Sequence, residues 1–225
     1  MGAGAAVFVD EMQHLDGDEL AATAQACHEV SQRGLPFFVI GAGLPNLPGV
    51  LADARSYTER LFAYLRIDRL SGDDAAIALV RPAAEEGVTW TDEAVTAVVD
   101  ASGGYPYLLQ QFGQTTWNAA AESPIGIADA FDGIRVGRGL LDEGFFRARW
   151  DRATPAERDY LTAMAPDGDG PSSSGEVARR LGRRIASLGP VRANLIAKGL
   201  VFAPEHGQIA FTVPGMAGFI ARIPT

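Results

Sequence analysis

Two neighbouring acids near the start of the chain, Asp10 and Glu11, directly follow the apolar run Ala5–Val9. A short apolar run with β-branched residues is typical of a buried strand in a parallel sheet. A carboxylate at the end of such a strand can hold Mg²⁺, directly or through water. A second carboxylate beside it can orient or deprotonate an attacking water. The pair therefore fits phosphoryl transfer, with Asp10 on the metal and Glu11 on the water, although a strand that simply ends in a polar turn has the same pattern.

The segments around these acids predict a βαβ unit. Apolar residues at helical spacing over Gly17–Arg33 predict a helix, and the apolar run Pro36–Ile40 predicts a second strand. A short helix over Val50–Thr58 and a third strand over Leu61–Ile67 are expected next. The acids would then lie at the carboxyl edge of a parallel sheet.

The pattern after Leu70 predicts helices alone. Ser71 or Asp73 can cap the first of them, and Thr91 can cap the second. Pro106 lies where a proline is tolerated, in the first turn of a third helix. This part of the chain is therefore predicted to be an all-α module.

The C-terminal part is predicted to contain three helices followed by a hairpin. The helices are expected to begin at Thr154–Pro155, at Ser174 and at Ile185, and the strands are expected over Leu200–Ala203 and Gln208–Val213. This is the order of elements in a winged helix.

Composition excludes several classes of protein. The 225 residues are 47% hydrophobic and 21% charged, which is ordinary for a globular domain. No apolar run approaches the roughly 20 residues of a membrane helix, and Met1–Ala6 lacks the basic start of a signal peptide. Cys27 is the single cysteine, so no internal disulfide is possible, and we expect it to pack as a small apolar residue. A cytoplasmic location without a membrane partner is expected.

The charge is distributed unevenly. The net charge of -9 argues against general nucleic-acid binding. Between Ser172 and Leu200, however, six basic residues face a single acid, Glu176, which gives this window +5. In a winged helix the last helix before the hairpin enters the major groove of DNA. The candidate duplex-DNA contacts are Arg183, Arg184, Ser187, Arg192 and the adjacent Asn194.

An internal role for this module stays open beside DNA binding. The predicted wing, Pro204–Gly207, has no lysine or arginine that could contact a phosphate. The module would then pack against the rest of the protein or against a protein partner.

Several short sequences resemble AAA+ P-loop ATPases of the STAND and bacterial Orc/Cdc6-like groups. Phe8–Gln13 resembles the Walker B motif, Gly41–Pro45 resembles the loop after the next strand, and Gly104–Pro106 resembles the GxP motif of the helical lid. The resemblance covers essentially the whole chain. It implies an α/β fold class: a partial P-loop NTPase parallel-sheet core over residues 1–70, an all-α AAA+ lid over 71–140 and a C-terminal winged helix over 141–225.

The resemblance also implies roles for single residues. Arg60 lies where clamp-loader-like AAA+ proteins have an arginine finger that reaches the γ-phosphate of a neighbouring subunit, with Arg55 behind it. A working finger requires self-association. Tyr105 and Pro106 lie where the GxP motif approaches adenine. Arg60 as a surface residue and Pro106 as a helix start are the alternatives.

Two positions depart from the family pattern. The polar sensor 1 residue is replaced by Ile40–Ala42, with Asn46 as the nearest polar side chain, and Tyr107 stands at the place of the sensor 2 arginine. Both departures favour a STAND-like switch over efficient hydrolysis.

The largest departure is the Walker A loop. No G-x-x-x-x-G-K followed by Ser or Thr occurs in the sequence, and this loop supplies most of the grip on phosphate. We expect the chain to be the C-terminal part of a longer ATPase, or to have a misassigned start, and to bind ATP weakly alone. ATP and Mg²⁺ are the cofactors expected of the complete protein.

Three functions follow as hypotheses. The first is an ATP-binding ATPase module of a molecular switch, incomplete here and a hydrolase only in the full-length form. The second is a winged-helix DNA-binding or regulatory protein without independent ATPase activity. The third is a fragment without activity of its own, whose half-sheet exposes apolar surface and open edges.

Overall fold

The computed structural model describes residues 4–45, 47–54 and 58–223. The strands are β1 Ala5–Val9, β2 Phe37–Gly41, β3 Ser172–Ser173, β4 Val201–Phe202 and β5 Gln208–Phe211. The α-helices are α1 Gly17–Gln32, α2 Leu47–Ala54, α3 Thr58–Leu61, α4 Gly72–Glu85, α5 Asp92–Ser102, α6 Pro106–Ala119, α7 Ile127–Leu140, α8 Arg147–Asp151, α9 Pro155–Met164, α10 Ser174–Arg180, α11 Ile185–Ala197 and α12 Met216–Arg222. A π-helical segment, Leu141–Phe146, joins α7 to α8.

The chain divides into two compact units. One unit contains Met1–Arg66 and Gly170–Thr212, and the other contains Ile67–Asp169 and Val213–Thr225. The three modules expected from the sequence, bounded at residues 70 and 140, stay a prediction. No helix in the described ranges is both long and apolar enough to span a bilayer.

The predicted βαβ unit is confirmed. Strands β1 and β2 pair in parallel, in a register that runs from Ala5 opposite Phe37 to Val9 opposite Gly41. Helix α1 connects them and begins at a capping box, in which Asp16 accepts hydrogen bonds from the first turn and Glu19 bonds back to the Asp16 amide.

The prediction that β1 is buried is wrong. Phe8 is 74% exposed, and Phe38 and Ile40 on β2 are 64% and 50% exposed. Over the described ranges this parallel sheet contains two strands. Two strands and one connecting helix supply too few neighbouring atoms to cover both faces of a sheet whose apolar residues alternate from face to face.

The third strand predicted over Leu61–Ile67 is also wrong. Helix α3 ends at Leu61, and the following residues up to Ser71 have no regular secondary structure. Leu65 and Ile67 are 89% and 90% exposed. A strand is stable only when a neighbour satisfies its backbone groups, and no described strand pairs with this segment.

The predicted starts of the three helices that follow Leu70 are confirmed. The Ser71 side chain accepts the amide of Asp74 at α4, so Ser71 rather than Asp73 is the cap. The Thr91 side chain accepts the amide of Ala94 at α5, and Pro106 is the first residue of α6. Each cap satisfies an amide that lacks a partner within its helix.

The three helices and the hairpin predicted for the C-terminal part are each present in the structure. Thr154 and Glu157 form a capping box at the start of α9. Strands β4 and β5 pair as an antiparallel hairpin with Val201 opposite Phe211, and the two-residue β3 pairs with the other edge of β5. The sequence did not predict β3 or helix α12.

Helices α6 and α7 approach closely at two glycines of α7. The Oγ1 of Thr115 donates a 2.7 Å hydrogen bond to the carbonyl of Gly133. A Cβ at Gly133 would overlap the backbone of Thr116, and a Cβ at Gly137 would lie 2.8 Å from the Phe112 ring. The absence of side chains at these positions allows the two helices to pack this closely.

We expect Gly133→Ala to lower the free energy of unfolding by about 1–3 kcal/mol, because the new methyl group overlaps the backbone of α6. Gly139→Ala in the same helix is the matched control, since its new Cβ would have no atom within 4 Å. It should raise stability by up to about 1 kcal/mol through helix propensity. Urea denaturation followed by circular dichroism measures both, and equal effects would contradict this packing.

Candidate functional site

The two acids lie where the carboxyl ends of β1 and β2 meet. Beyond the last strand residues, the amide of Ala42 donates to the carbonyl of Val9 at 2.8 Å, and the amide of Met12 donates to the carbonyl of Ala42 at 2.9 Å. These bonds hold the segment after β1 against the loop after β2. Ligands of parallel α/β sheets bind at this edge.

Asp10 presents an exposed carboxylate at this edge. Its Oδ1 accepts a 2.9 Å hydrogen bond from the amide of Glu11. Among the described residues, no group of three or more His, Cys, Asp or Glu side chains could hold a metal ion. Asp10 still fits Mg²⁺ by donor type, because Mg²⁺ in nucleotide sites commonly takes one or two carboxylates and fills its other positions with water and phosphate oxygens.

Glu11 has a strained backbone. Its φ of 49° and ψ of 40° lie in the left-handed region, and no other non-glycine residue of the described ranges has a positive φ. A side chain in this region costs about 1–2 kcal/mol. Such strain tends to concentrate at functional sites. Here it turns the chain from β1 into the 3-10 turn Met12–His14.

Gln13 connects Glu11 to the loop after β2. Its Nε2 donates to the Oε2 of Glu11, and its Oε1 accepts a 3.1 Å hydrogen bond from the amide of Leu44. A Cβ at Gly43 would overlap Gln13 Oε1, so glycine there makes room for the contact. The sequence pattern indicates no role for Gln13, because the direction of a side chain after a left-handed residue cannot be predicted from residue spacing.

A small apolar core packs around Met12, the residue that follows the two acids. Met12 is 2% exposed and packs with Leu20, Leu47 and Leu51. A Cβ at Gly41 would overlap the Met12 sulfur, so β2 also approaches this side chain closely. Burial of Met12 offsets part of the strain at Glu11, since a fully buried side chain of this size contributes about 1.5–3 kcal/mol.

Arg60 is not held at this site by any described contact. It lies exposed on α3, and no hydrogen bond or ion pair joins its side chain to another described residue. Arg55 and Asn46, the other candidates from the sequence, lie outside the described residues.

Tyr105 and Pro106 lie in the other unit. Gly104 has a φ of 72°, and its carbonyl accepts a 2.9 Å hydrogen bond from the amide of Leu70. Because a Cβ at Gly104 would overlap the carbonyl oxygen of Leu70, this turn requires glycine. Tyr105 then precedes α6, and Pro106 is exposed in its first turn.

Arg149, which the sequence analysis missed, lies beside the same turn. Its guanidinium lies 3.7 Å from the centroid of the Phe145 ring, and the ring of Tyr107 stacks on Phe145 with a centroid distance of 4.6 Å. Burial lowers the pKa of Arg149, while Tyr105 and Tyr107 act in the opposite direction. The guanidinium nevertheless stays charged at neutral pH. A positive charge therefore lies near Tyr107, where the sensor 2 arginine was expected.

The basic residues of the C-terminal part differ in how exposed they are and in whether their side chains have hydrogen-bond partners among the described residues. Arg183 and Arg184 are exposed at the start of α11, and their side chains have no hydrogen-bond partner in the described part of the chain. Arg179 donates to Glu176 at 2.8 Å and lowers the pKa of that carboxyl.

Ser187 and Arg192 are engaged within the protein. The Oγ of Ser187 donates to the carbonyl of Arg184 at 2.8 Å. The Nη2 of Arg192 donates to the carbonyl of Gln208 on β5 at 3.1 Å, and its Nε is buried without a partner in the described structure. The bond from Arg192 to Gln208 connects α11 to the hairpin and leaves the Arg192 guanidinium less available to bind a phosphate.

Two solved structures share this fold. The RuvB Holliday junction branch migration motor of Thermotoga maritima has a TM-score of 0.55 and 18% identity, covering 93% of this chain and 68% of its own. A Walker-type ATPase of Pyrococcus abyssi has a TM-score of 0.61 and 18% identity, covering 96% of this chain and 63% of its own. At this identity the likeness establishes the fold alone, which is that of AAA+ P-loop ATPases.

The similarity found by sequence covers a smaller part of the chain than the structural similarity does. A family model described as a domain of unknown function, DUF8462, matches residues 143–220, which is less than half of the chain. No curated protein matches the chain.

We expect Glu11→Gly to be more stable than Glu11→Ala by about 1–2 kcal/mol. Both variants lack the carboxylate and its bond to Gln13, so the comparison isolates the left-handed backbone. Paired urea denaturations measure the difference. Equal stabilities would show that Glu11 does not adopt this conformation in solution.

Proposed function

We propose that this chain is the ATP-binding part of a STAND-type AAA+ switch, completed by a Walker A loop that its 225 residues do not contain. The observation that carries the proposal is the Asp10–Glu11 pair, at the edge where parallel strands end and with the second acid in a strained backbone. An apolar strand followed by a metal ligand and a water-orienting acid is what nucleotide hydrolysis requires of this edge.

The exposed apolar faces of the β1–β2 sheet support the proposal that the chain is only part of an ATPase core. Phe8, Phe38 and Ile40 are apolar but largely exposed. Parallel sheets in α/β proteins are usually covered on both faces. Further strands and helices beside β1 and β2 would bury these residues.

Each candidate residue has a proposed role in the complete protein. Asp10 would hold Mg²⁺ through water, and Glu11 would orient the attacking water. Arg60 would act as a finger toward a neighbouring copy, and Tyr105 and Pro106 would lie near adenine. When bound, Mg²⁺ neutralises charge on the phosphate oxygens. The Walker A lysine and loop amides would bind those oxygens.

A switch is favoured over rapid turnover. Ile40–Ala42 and Tyr107 lack the polar and basic groups that sense the γ-phosphate in fast AAA+ enzymes. Bound γ-phosphate would instead bias the arrangement of three modules, at residues 1–70, 71–140 and 141–225. We place this switch in the cytoplasm.

Glu11→Gln tests the proposal in the chain extended by its upstream coding sequence, where a Walker A loop is expected. We expect ATP turnover to fall about 100-fold or more while ATP binding persists, since only the water-orienting carboxylate is lost. Glu29→Gln, an exposed change on α1, is the control and should leave turnover unaltered. Hydrolysis unchanged in Glu11→Gln would refute the assignment.

DNA binding is the second candidate function. Its support is that Arg183 and Arg184, at the start of α11, are exposed and have no side-chain hydrogen-bond partner among the described residues. The element order from α9 to β5, with β3 beside β5 and β4 on its other edge, is that expected of a winged helix. An acidic protein with one local basic surface would bind duplex DNA through that surface.

The double variant Arg183→Ala, Arg184→Ala should weaken binding to duplex DNA and reduce the slope of log K against log salt by about 2. Arg179→Ala is the matched control, because Arg179 is already paired with Glu176. Fluorescence anisotropy over a salt series measures both. Absence of binding by the wild-type chain at low salt would exclude this function.

A further inference from the structure

We propose that Gln13 is a positioning residue that couples the Glu11 carboxylate to the loop after β2. One side-chain amide makes both contacts: Nε2 donates to Glu11 Oε2, and Oε1 accepts from the amide of Leu44 at 3.1 Å. The catalytic meaning of this coupling depends on the proposed role of Glu11, whereas the coupling itself does not.

Only a carboxamide of this length serves both partners. A side-chain amide carries a donor and an acceptor together, whereas a carboxylate only accepts and a thioether is only a weak acceptor. Gln13→Glu would keep the acceptor for Leu44 and lose the donor to Glu11. Gln13→Met would fill similar space and lose both.

The residues on either side of the Gln13–Leu44 contact bring the turn and the loop together. Its neighbour Met12 is buried, and the Met12 amide donates to the carbonyl of Ala42. Glycine at position 43 lets the loop lie directly against Gln13 Oε1. The loop and the turn after β1 are therefore joined both by the backbone bond from Met12 to Ala42 and by the side-chain bond between Gln13 and Leu44.

A movement of the loop would thus be transmitted to Glu11. Residues Ile40–Ala42 offer no polar side chain at the end of β2, and Gln13 supplies the polar group that contacts this loop. A loop shift that displaces the Leu44 amide would free Gln13 and change the orientation of the carboxylate. Coupling of this kind is reciprocal, so removal of the Glu11 carboxylate must also change the hydrogen bonding of the Leu44 amide.

Amide hydrogen exchange at Leu44, measured by NMR on the 225-residue chain, tests this coupling without nucleotide. We expect Gln13→Met to accelerate Leu44 exchange about 3- to 10-fold, the effect of one lost hydrogen bond. Glu11→Ala should accelerate it in the same direction, by a smaller factor, because Gln13 loses its anchor. In the Gln13→Met background Glu11→Ala should add nothing. Gln13→Glu keeps the acceptor for Leu44 but loses the same anchor, so its Leu44 exchange should match that of Glu11→Ala and should not change further when Glu11→Ala is added.

Gln25→Met is the matched control, because Gln25 also donates to a glutamate, Glu29, at 3.2 Å, and no hydrogen bond in the described structure joins Gln25 to the loop. It should leave Leu44 exchange unchanged. Unaltered Leu44 exchange in Gln13→Met would overturn the proposal, as would a Glu11→Ala effect that persists without Gln13. Absence of ATP binding by the extended chain would refute the proposed function, whereas the exchange result alone decides the role of Gln13.

Discussion

The pairing of β1 with β2, continued by two backbone bonds beyond the strand ends, is the interaction on which the candidate site depends. The ladder fixes Val9 opposite Gly41, and the bonds from Ala42 to Val9 and from Met12 to Ala42 extend it into the loops. These bonds place the two acids beside the loop after β2. A one-residue slip would invert the direction of every side chain on β1 and separate the acids from this loop.

The strain at Glu11 is maintained because the surrounding contacts offset it. The left-handed residue directs Met12 into the small core and turns Gln13 toward the loop. An extended or helical Glu11 would relieve about 1–2 kcal/mol of strain but would withdraw Met12 from its partners. The buried side chain and the backbone bond of Met12 together outweigh that relief. The same contacts thus stabilise the turn and orient the carboxylate.

Sequence patterns predicted the parts of the fold that depend on local interactions. An apolar run such as Ala5–Val9 and cap residues such as Ser71 and Thr91 determine their elements through neighbouring residues. The exposure of Phe8 and the irregular structure after Leu61 depend instead on which strands lie alongside. That information is not contained in the periodicity of either segment.

The candidate site was proposed from residue types, whereas the contacts of its side chains could not be predicted from the sequence. Asp10 and Glu11 were identified because two acids after an apolar run form a local pattern. The contacts of Gln13 and Arg149 depend on backbone torsion and on a partner ring, neither of which has a sequence signal. Arg192 was predicted as a DNA contact from its charge, whereas its bond to Gln208 depends on how the hairpin folds back.

The exposed sheet connects the stability of the candidate site to its surroundings. Covering a phenylalanine contributes about 1.5–3 kcal/mol, so burial of Phe8 and Phe38 would together add several kcal/mol. This is comparable to the whole free energy of unfolding of a small domain. A structural element that covers these faces would therefore rigidify the ladder beneath Asp10 and Glu11 as well as complete the sheet. The same two strands position the acids and carry the exposed apolar residues. Burial of those residues would therefore also stabilise the geometry of the acids.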